Sequence, residues 1–291
     1  MNILFVGGGN MCQAIIGGLV AQGTAASSLQ AIEPLAETRA VLARQGIASA
    51  GEFHDADLAA DVIVLAVKPQ MMKNAVAPLA GKLVAQLVVS IAAGVRTADL
   101  AQWLAGTAAG FPSAAEPVTY ANIVRAMPNT PALIRAGITG LYAMPGVGAN
   151  ARITAETLLG AVGKTAWFAD EAMLDVVTAV SGSGPAYVFY FIEALEQAGR
   201  ELGFDEHTAR QFALQTFLGG ARLAADGNES PAALRQRVTS KHGTTERAIE
   251  TFESQDLKRH FVEGVKAACQ RSRELGDEMS RDAAASGSRK K

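Results

Sequence analysis

The chain has 291 residues, a formal net charge of −2 and 49% hydrophobic residues, which is enough for two domains, each with its own core. That charge gives no electrostatic footprint for nucleic acid or an anionic membrane, and Cys12 and Cys269 alone make neither a disulfide framework nor a metal-binding spacing, so no metal is expected. No apolar run is long enough to cross a bilayer and no basic segment precedes the apolar start, so a cytoplasmic protein without a secretory leader is expected.

In chain order, 2–6 is a continuous apolar run that predicts a strand, and 10–22 has helical spacing. A second strand is expected over 28–33 and a helix over 35–45. The β-branched run 62–67 reads as a buried parallel strand, 70–85 as helix, 87–92 as another buried strand, 97–104 as a short helix and 122–127 as a fifth strand. Two further strands, 138–143 and 165–168, flank a helix at 154–162. This alternation implies a doubly wound, mostly parallel α/β sheet of the Rossmann type. The stretch 106–119, rich in Ala, Gly, Pro and Ser, reads as a surface loop.

Beyond Glu171 the texture changes. Helices are expected over 185–202, 207–225, 231–238, 244–253 and from 258 to about 279, with no strand among them. The expected division is therefore a dinucleotide-binding Rossmann-like domain over 1–168, an all-helical domain over 169–281, and a frayed, disordered tail over 282–291.

The chemistry begins at Gly7-Gly8-Gly9-Asn10-Met11-Cys12, between the first strand and the first helix. Gly7 permits the tight turn and Gly9 lets backbone approach a pyrophosphate, which the N–H groups at Asn10 and Met11 would favour. Cys12 replaces the third glycine of the pattern, where a small packing side chain is tolerable. Glu33 ends the second strand, where a carboxylate would bond a ribose 2′-OH and repel a 2′-phosphate; Arg39, on the next helix, could turn toward such a phosphate. A solvated charge at a helix start is the plain alternative for both. Lys68 ends the third strand and could meet a cofactor phosphate or ribose. Ala93 and Gly94 follow the fourth strand and leave room for a nicotinamide ribose.

Six segments, in order, carry a resemblance: Val6–Gly18 (VGGGNMCQAIIGG), Leu65–Gln70 (LAVKPQ), Val89–Val95 (VSIAAGV), Arg125–Ala132 (RAMPNTPA), Val180–Phe189 (VSGSGPAYVF) and Val238–Phe252 (VTSKHGTTERAIETF). Together they resemble the pyrroline-5-carboxylate reductase family. The resemblance implies reduction of the cyclic imine 1-pyrroline-5-carboxylate to L-proline, the final step of proline biosynthesis, with NADPH favoured and NADH the alternative. It also implies a homodimer formed through the helical domain, with a larger ring of dimers as a further expectation. Asn129, between two prolines, is a candidate to hold the substrate against the nicotinamide, or a plain turn residue.

The substrate argument rests on Gly243-Thr244-Thr245-Glu246, which opens a helix whose first N–H groups suit a carboxylate. Gly243, Thr244 and Thr245 are assigned to substrate, with Thr245 hydrogen-bonding the imine nitrogen and Ser240 assisting; an N-terminal capping box is the structural alternative. The family pattern here is Ser-Pro-Gly-Gly-Thr-Thr, whereas Ser240 is followed by Lys241-His242-Gly243. Two rival readings are weighed against this one. A β-hydroxyacid dehydrogenase needs a catalytic lysine on a helix, and Lys241 sits in a loop. A non-catalytic cofactor sensor has no need of Thr244 and Thr245.

Overall fold

The computed structural model describes residues 1–105 and 119–288, with side chains described through Arg281. The packing divides into two compact units, Met1–Gly182 with the chain from Ala268 onward, and Ser183–Ala267.

The first unit is an eight-stranded sheet. Its strands are β1 (Ile3–Val6), β2 (Leu29–Ile32), β3 (Ala48–Ala50), β4 (Val62–Leu65), β5 (Leu87–Ser90), β6 (Ile123–Met127), β7 (Gly137–Ala143) and β8 (Gly163–Trp167). They lie in the order β3-β2-β1-β4-β5-β6-β7-β8. Among the described residues only the β6–β7 pairing is antiparallel. Around the sheet run α1 (Asn10–Ala21), α2 (Ala36–Arg44), α3 (Met72–Val76), α4 (Thr97–Trp103), α5 (Ala149–Gly160) and α6 (Met173–Val177).

The alternation of side chains along each strand explains the double winding. Ile3, Phe5, Val62, Val64 and Val89 share one core with Cys12, Ile15 and Ile16 of α1, Leu42 of α2 and Leu158 of α5. Leu4, Val6, Ile63, Leu65 and Val88 share the other with Met72 and Val76 of α3 and Leu100 of α4. Every β1 and β4 residue is buried, so neither strand has a polar face.

Three departures from the sequence reading have local causes. The helix expected over 70–85 is short: α3 ends at Val76 and a 3₁₀ turn carries Pro78, whose ring and missing N–H cannot continue an α-helix. The edge strand β3, with only three residues, lies below the length that a periodicity reading detects. The chain division also differs from the expected 168/169 boundary. Leu174 and Asp175 of α6 are buried in the first unit, and the C-terminal helix returns to it.

The second unit contains α7 (Gly184–Glu201), α8 (Glu206–Asp226), α9 (Pro231–Arg237), α10 (Thr244–Ser254) and the start of α11 (Leu257–Ser288). Asp205 caps α8 through Thr208 N–H at 2.9 Å, and Ser230 caps α9 through Ala233 N–H at 3.2 Å. Within this unit Tyr187, Phe191 and Phe261 form an aromatic cluster. The backbone of α11 is helical through Ser288, where a frayed, disordered tail from 282 was expected; 289–291 lie outside the described residues. The loop expected over 106–119 also lies outside them, apart from Thr119.

Candidate active site

In the first unit, the chain leaves β1 through Gly7 at φ +101°, a backbone region open to glycine. A Cβ there would stand 2.8 Å from Ala66 O, so the close approach of β1 and β4 ends also demands glycine. Gly9 is the N-cap of α1 and faces open space: nothing lies within 4 Å of where its Cβ would stand. No side chain caps α1. The first backbone bond into the helix is Gln13 N–H to Gly9 O at 3.0 Å, so the N–H groups of Asn10 and Met11 have no intrahelical acceptor. Open space in front of bare N–H donors fits a pyrophosphate.

Gly8, which a glycine pattern leaves without a role, is held from both sides. Its N–H donates to Oε2 of Glu33 at 2.8 Å, and its carbonyl accepts from Nε2 of Gln13 at 2.8 Å. The other oxygen of Glu33 accepts from Leu35 N–H at 2.9 Å. Glu33 is only 8% exposed, so the carboxylate expected to read a ribose is turned inward on the loop. Arg39 Nη1 donates to the carbonyls of Glu33 and Pro34, at 2.8 and 2.6 Å. Cys12 is fully buried, and burial, with the nearby Glu33 charge, pushes its thiol far up, so it stays protonated and packs as a small apolar residue.

Lys68 is exposed at the end of the β4 connection, just before a 3₁₀ turn opened by Pro69. Ala93 is partly exposed, but Gly94 is buried. It has φ +76°, and Met279 Cε of α11 lies 3.0 Å from where its Cβ would stand. Gly94 therefore serves close packing of α11, which differs from the room for ribose expected there. Asn129 is likewise occupied: Nδ2 donates to Ser181 Oγ at 3.1 Å and Oδ1 accepts from Ile138 N–H at 3.0 Å. It ties the loop after β6 to β7 and to the irregular turn Thr178–Gly182.

In the second unit, α10 opens at Gly243, again without a side-chain cap. Its first backbone bond is Arg247 N–H to Gly243 O at 3.2 Å, which leaves the N–H groups of Thr244, Thr245 and Glu246 without intrahelical acceptors. The capping-box alternative does not form. Glu246 reaches instead to the His242 N–H at 2.5 Å. The hydroxyls of Ser240, Thr244 and Thr245 have no hydrogen-bond partner among the described residues. Gly243 N–H bonds Ser240 O at 3.0 Å, which places Ser240 against the helix start. His242 holds φ +61°, a left-handed conformation that costs a histidine roughly 1 kcal/mol and suits the glycine of the family pattern. Its side chain is 84% exposed, as befits a rim residue.

No group of three metal-ligating side chains occurs among the described residues, and none of their helices is long and apolar enough to cross a membrane.

The doubly wound sheet with its glycine loop defines the class, a dinucleotide-dependent oxidoreductase with an appended helical unit. Residues 2–94 match the family described as NADP oxidoreductase, coenzyme F420-dependent, and residues 171–275 match pyrroline-5-carboxylate reductase dimerisation. The chain is 46% identical to the pyrroline-5-carboxylate reductase of Pseudomonas aeruginosa, covering 95% of this chain and 97% of that one. It is 40% identical to the Haemophilus influenzae enzyme of the same name, over 94% and 97% of the two chains. Among solved structures, a pyrroline-5-carboxylate reductase from Coxiella burnetii superposes with a TM-score of 0.83 at 39% identity, covering 94% of this chain and 98% of that one. Pyrroline carboxylate reductase of Plasmodium falciparum with NADP bound gives 0.78 at 25% identity, covering 95% and 98%. This chain belongs to the pyrroline-5-carboxylate reductase family.

Proposed function

We propose that this protein reduces 1-pyrroline-5-carboxylate to L-proline, the final step of proline biosynthesis, using NADPH in preference to NADH. The observation that carries the substrate half is the start of α10, three N–H groups and three hydroxyls without partners among the described residues. A carboxylate accepts such donors, and a ring nitrogen lies within a few ångströms of its own α-carboxylate.

The dinucleotide, when bound, supplies the hydride. Gly9, Asn10 and Met11 would hold its pyrophosphate, and Lys68 and Ala93, at the strand ends, would contact it. The Thr244 and Thr245 N–H groups hold the substrate carboxylate. The Thr245 hydroxyl hydrogen-bonds the imine nitrogen, and Ser240 orients that hydroxyl. The new C–H bond forms at the imine carbon, and the C=N π pair stays on the protonated nitrogen as an amine lone pair. Little acid–base machinery is needed, because a protonated imine is already electrophilic. What the protein contributes is position.

The NADPH preference is supported by Arg39 of α2, held on the Glu33 and Pro34 carbonyls that follow β2, and by the bound cofactor named for the Plasmodium falciparum relative. A homodimer through the helical unit is part of the same reading. Phe189, Tyr190, Phe212 and Leu223, on α7 and α8, are each more than half exposed, an apolar surface that a second copy would cover. A larger ring of dimers and a cytoplasmic location complete it.

The test is steady-state oxidation of NADPH and of NADH by the purified protein with 1-pyrroline-5-carboxylate. Turnover with a higher kcat/KM for NADPH is expected. Absence of turnover with either cofactor would overturn the assignment.

A further inference from the structure

The acidic residue that closes β2 of a dinucleotide-binding sheet ordinarily accepts from the adenosine ribose hydroxyls and repels a 2′-phosphate. Glu33 occupies that position, and both its oxygens are already engaged. One accepts from Gly8 N–H at 2.8 Å and the other from Leu35 N–H at 2.9 Å. The residue is buried, the Cβ position of Gly8 lies 3.2 Å from its Cγ, and Leu42 and Thr38 close the same spot at 3.0 Å. Little of its surface is left for a sugar hydroxyl. The Gly8 N–H is also withdrawn from any pyrophosphate, whose donors must come from Gly9 onward.

Arg39 complements this arrangement. Nη1 is anchored on two backbone carbonyls of the β2–α2 turn, while Nε and Nη2 have no partner among the described residues. Gly51, after β3, packs beside the guanidinium: a Cβ there would make ordinary contact, 3.4 Å from Nη1. An anchored guanidinium with free donors is the group that pairs a phosphate bidentately.

We infer that Glu33 is a positioning residue that fixes the glycine loop through Gly8, and that selection for the 2′-phosphate has passed from Glu33 to Arg39. This rests on the oxidoreductase reading above. It removes the conflict between an acidic residue at this position and a preference for NADPH.

Two variants of the full-length protein test it, assayed with each cofactor after thermal unfolding shows that each is folded. In Glu33→Gln one amide NH₂ must face a backbone N–H, so the loop loosens. KM for NADPH and for NADH rises by a similar factor, about threefold to tenfold, and their ratio holds within about twofold. A Glu33→Gln variant that gains on NADPH while losing on NADH would show the ordinary sugar-reading role and overturn the first half. Arg39→Met raises KM for NADPH about tenfold and leaves NADH within about twofold, with kcat preserved for both. Equal losses with the two cofactors would reduce Arg39 to a turn anchor and overturn the second half. Failure of the wild-type protein to turn over 1-pyrroline-5-carboxylate is a separate result: it removes the function, whereas these ratios, which can also be read as cofactor dissociation constants by fluorescence, address the loop alone.

Discussion

Ser272 donates a 2.7 Å hydrogen bond to Oδ1 of Asp175, both residues buried and separated by 97 positions in sequence. The bond joins α11 to α6. It is reinforced by Arg96 with Asp277 at 2.5 Å and by Ser280 with Asp99 at 2.7 Å, while Met279 covers Gly94. The last helix is thus fastened by one buried and two more exposed polar contacts, and the buried one dominates, since exposed pairs contribute little. Ser272→Ala leaves a buried carboxylate oxygen without its donor. A loss of about 1–3 kcal/mol is expected in urea unfolding at fixed protein concentration. A change below about 0.5 kcal/mol would mean that water replaces the hydroxyl.

Tyr120 gives a prediction in pH. Burial pushes its phenol up to about 12, partly opposed by the Asn122 side chain, and its hydroxyl donates to Gln86 O. The neutral form is the one that the folded state favours. Stability from this group is therefore complete below the ordinary tyrosine value of 10.0 and is lost as pH rises from there toward 12, because the unfolded chain ionises first. Ultraviolet titration should show a late Tyr120 step at about 12, with the Tyr142 phenol, also pushed up by burial, above the ordinary value too. Tyr120→Phe should remove that late step and flatten the alkaline loss.

Much of this was legible in the sequence, and the limits are physical. The strands β1, β4 and β5 announce themselves because every residue of each is buried, so apolar composition alone suffices. The glycine loop is legible because Gly7 must adopt positive φ. The direction of the Glu33 carboxylate is not, since position in a motif says nothing of which N–H groups surround it. Gly8 and Gln13 were missed for the same reason: their bonds form between loop and helix, at no fixed spacing. The occupied Asn129 and the buried Gly94 depend on Ser181 and Met279, distant in sequence. Periodicity finds α11 but not the Ser272–Asp175 bond that sends it back to the first unit. At the loop before α10 the sequence located the helix start, yet only the geometry shows that Glu246 bonds His242 N–H and not the Thr244 or Thr245 N–H groups.

The glycine loop separates stability from binding. Gly7→Ala meets both positive φ and the Ala66 carbonyl, so it should cost roughly 2 kcal/mol or more and weaken either cofactor. Gly9 has φ −66° and open space, so Gly9→Ala should cost about 1 kcal/mol or less. Its methyl group nevertheless projects where the pyrophosphate would approach, and KM for both cofactors should rise about tenfold. Paired unfolding and kinetic measurements check this. A Gly9→Ala variant with unchanged KM would move the pyrophosphate away from this loop.

At α10, Thr245→Ala and Gly243→Ala distinguish chemistry from placement. Alanine is a better helix former than threonine, and the Thr245 hydroxyl has no partner to lose among the described residues, so Thr245→Ala should leave stability within about 0.5 kcal/mol. If that hydroxyl bonds the imine nitrogen as its charge changes, kcat should fall at least tenfold while the carboxylate, held by backbone N–H groups, keeps substrate KM within about threefold. Gly243→Ala acts differently. At φ −87° an alanine is unstrained, but its Cβ would stand 2.8 Å from Ser240 Oγ and 3.0 Å from Ser240 O. Ser240 must move, taking with it the entry to the helix start, and substrate KM should rise more than kcat falls. Full activity in Thr245→Ala would leave the N–H groups as the site's contribution and take the hydroxyl out of the reaction.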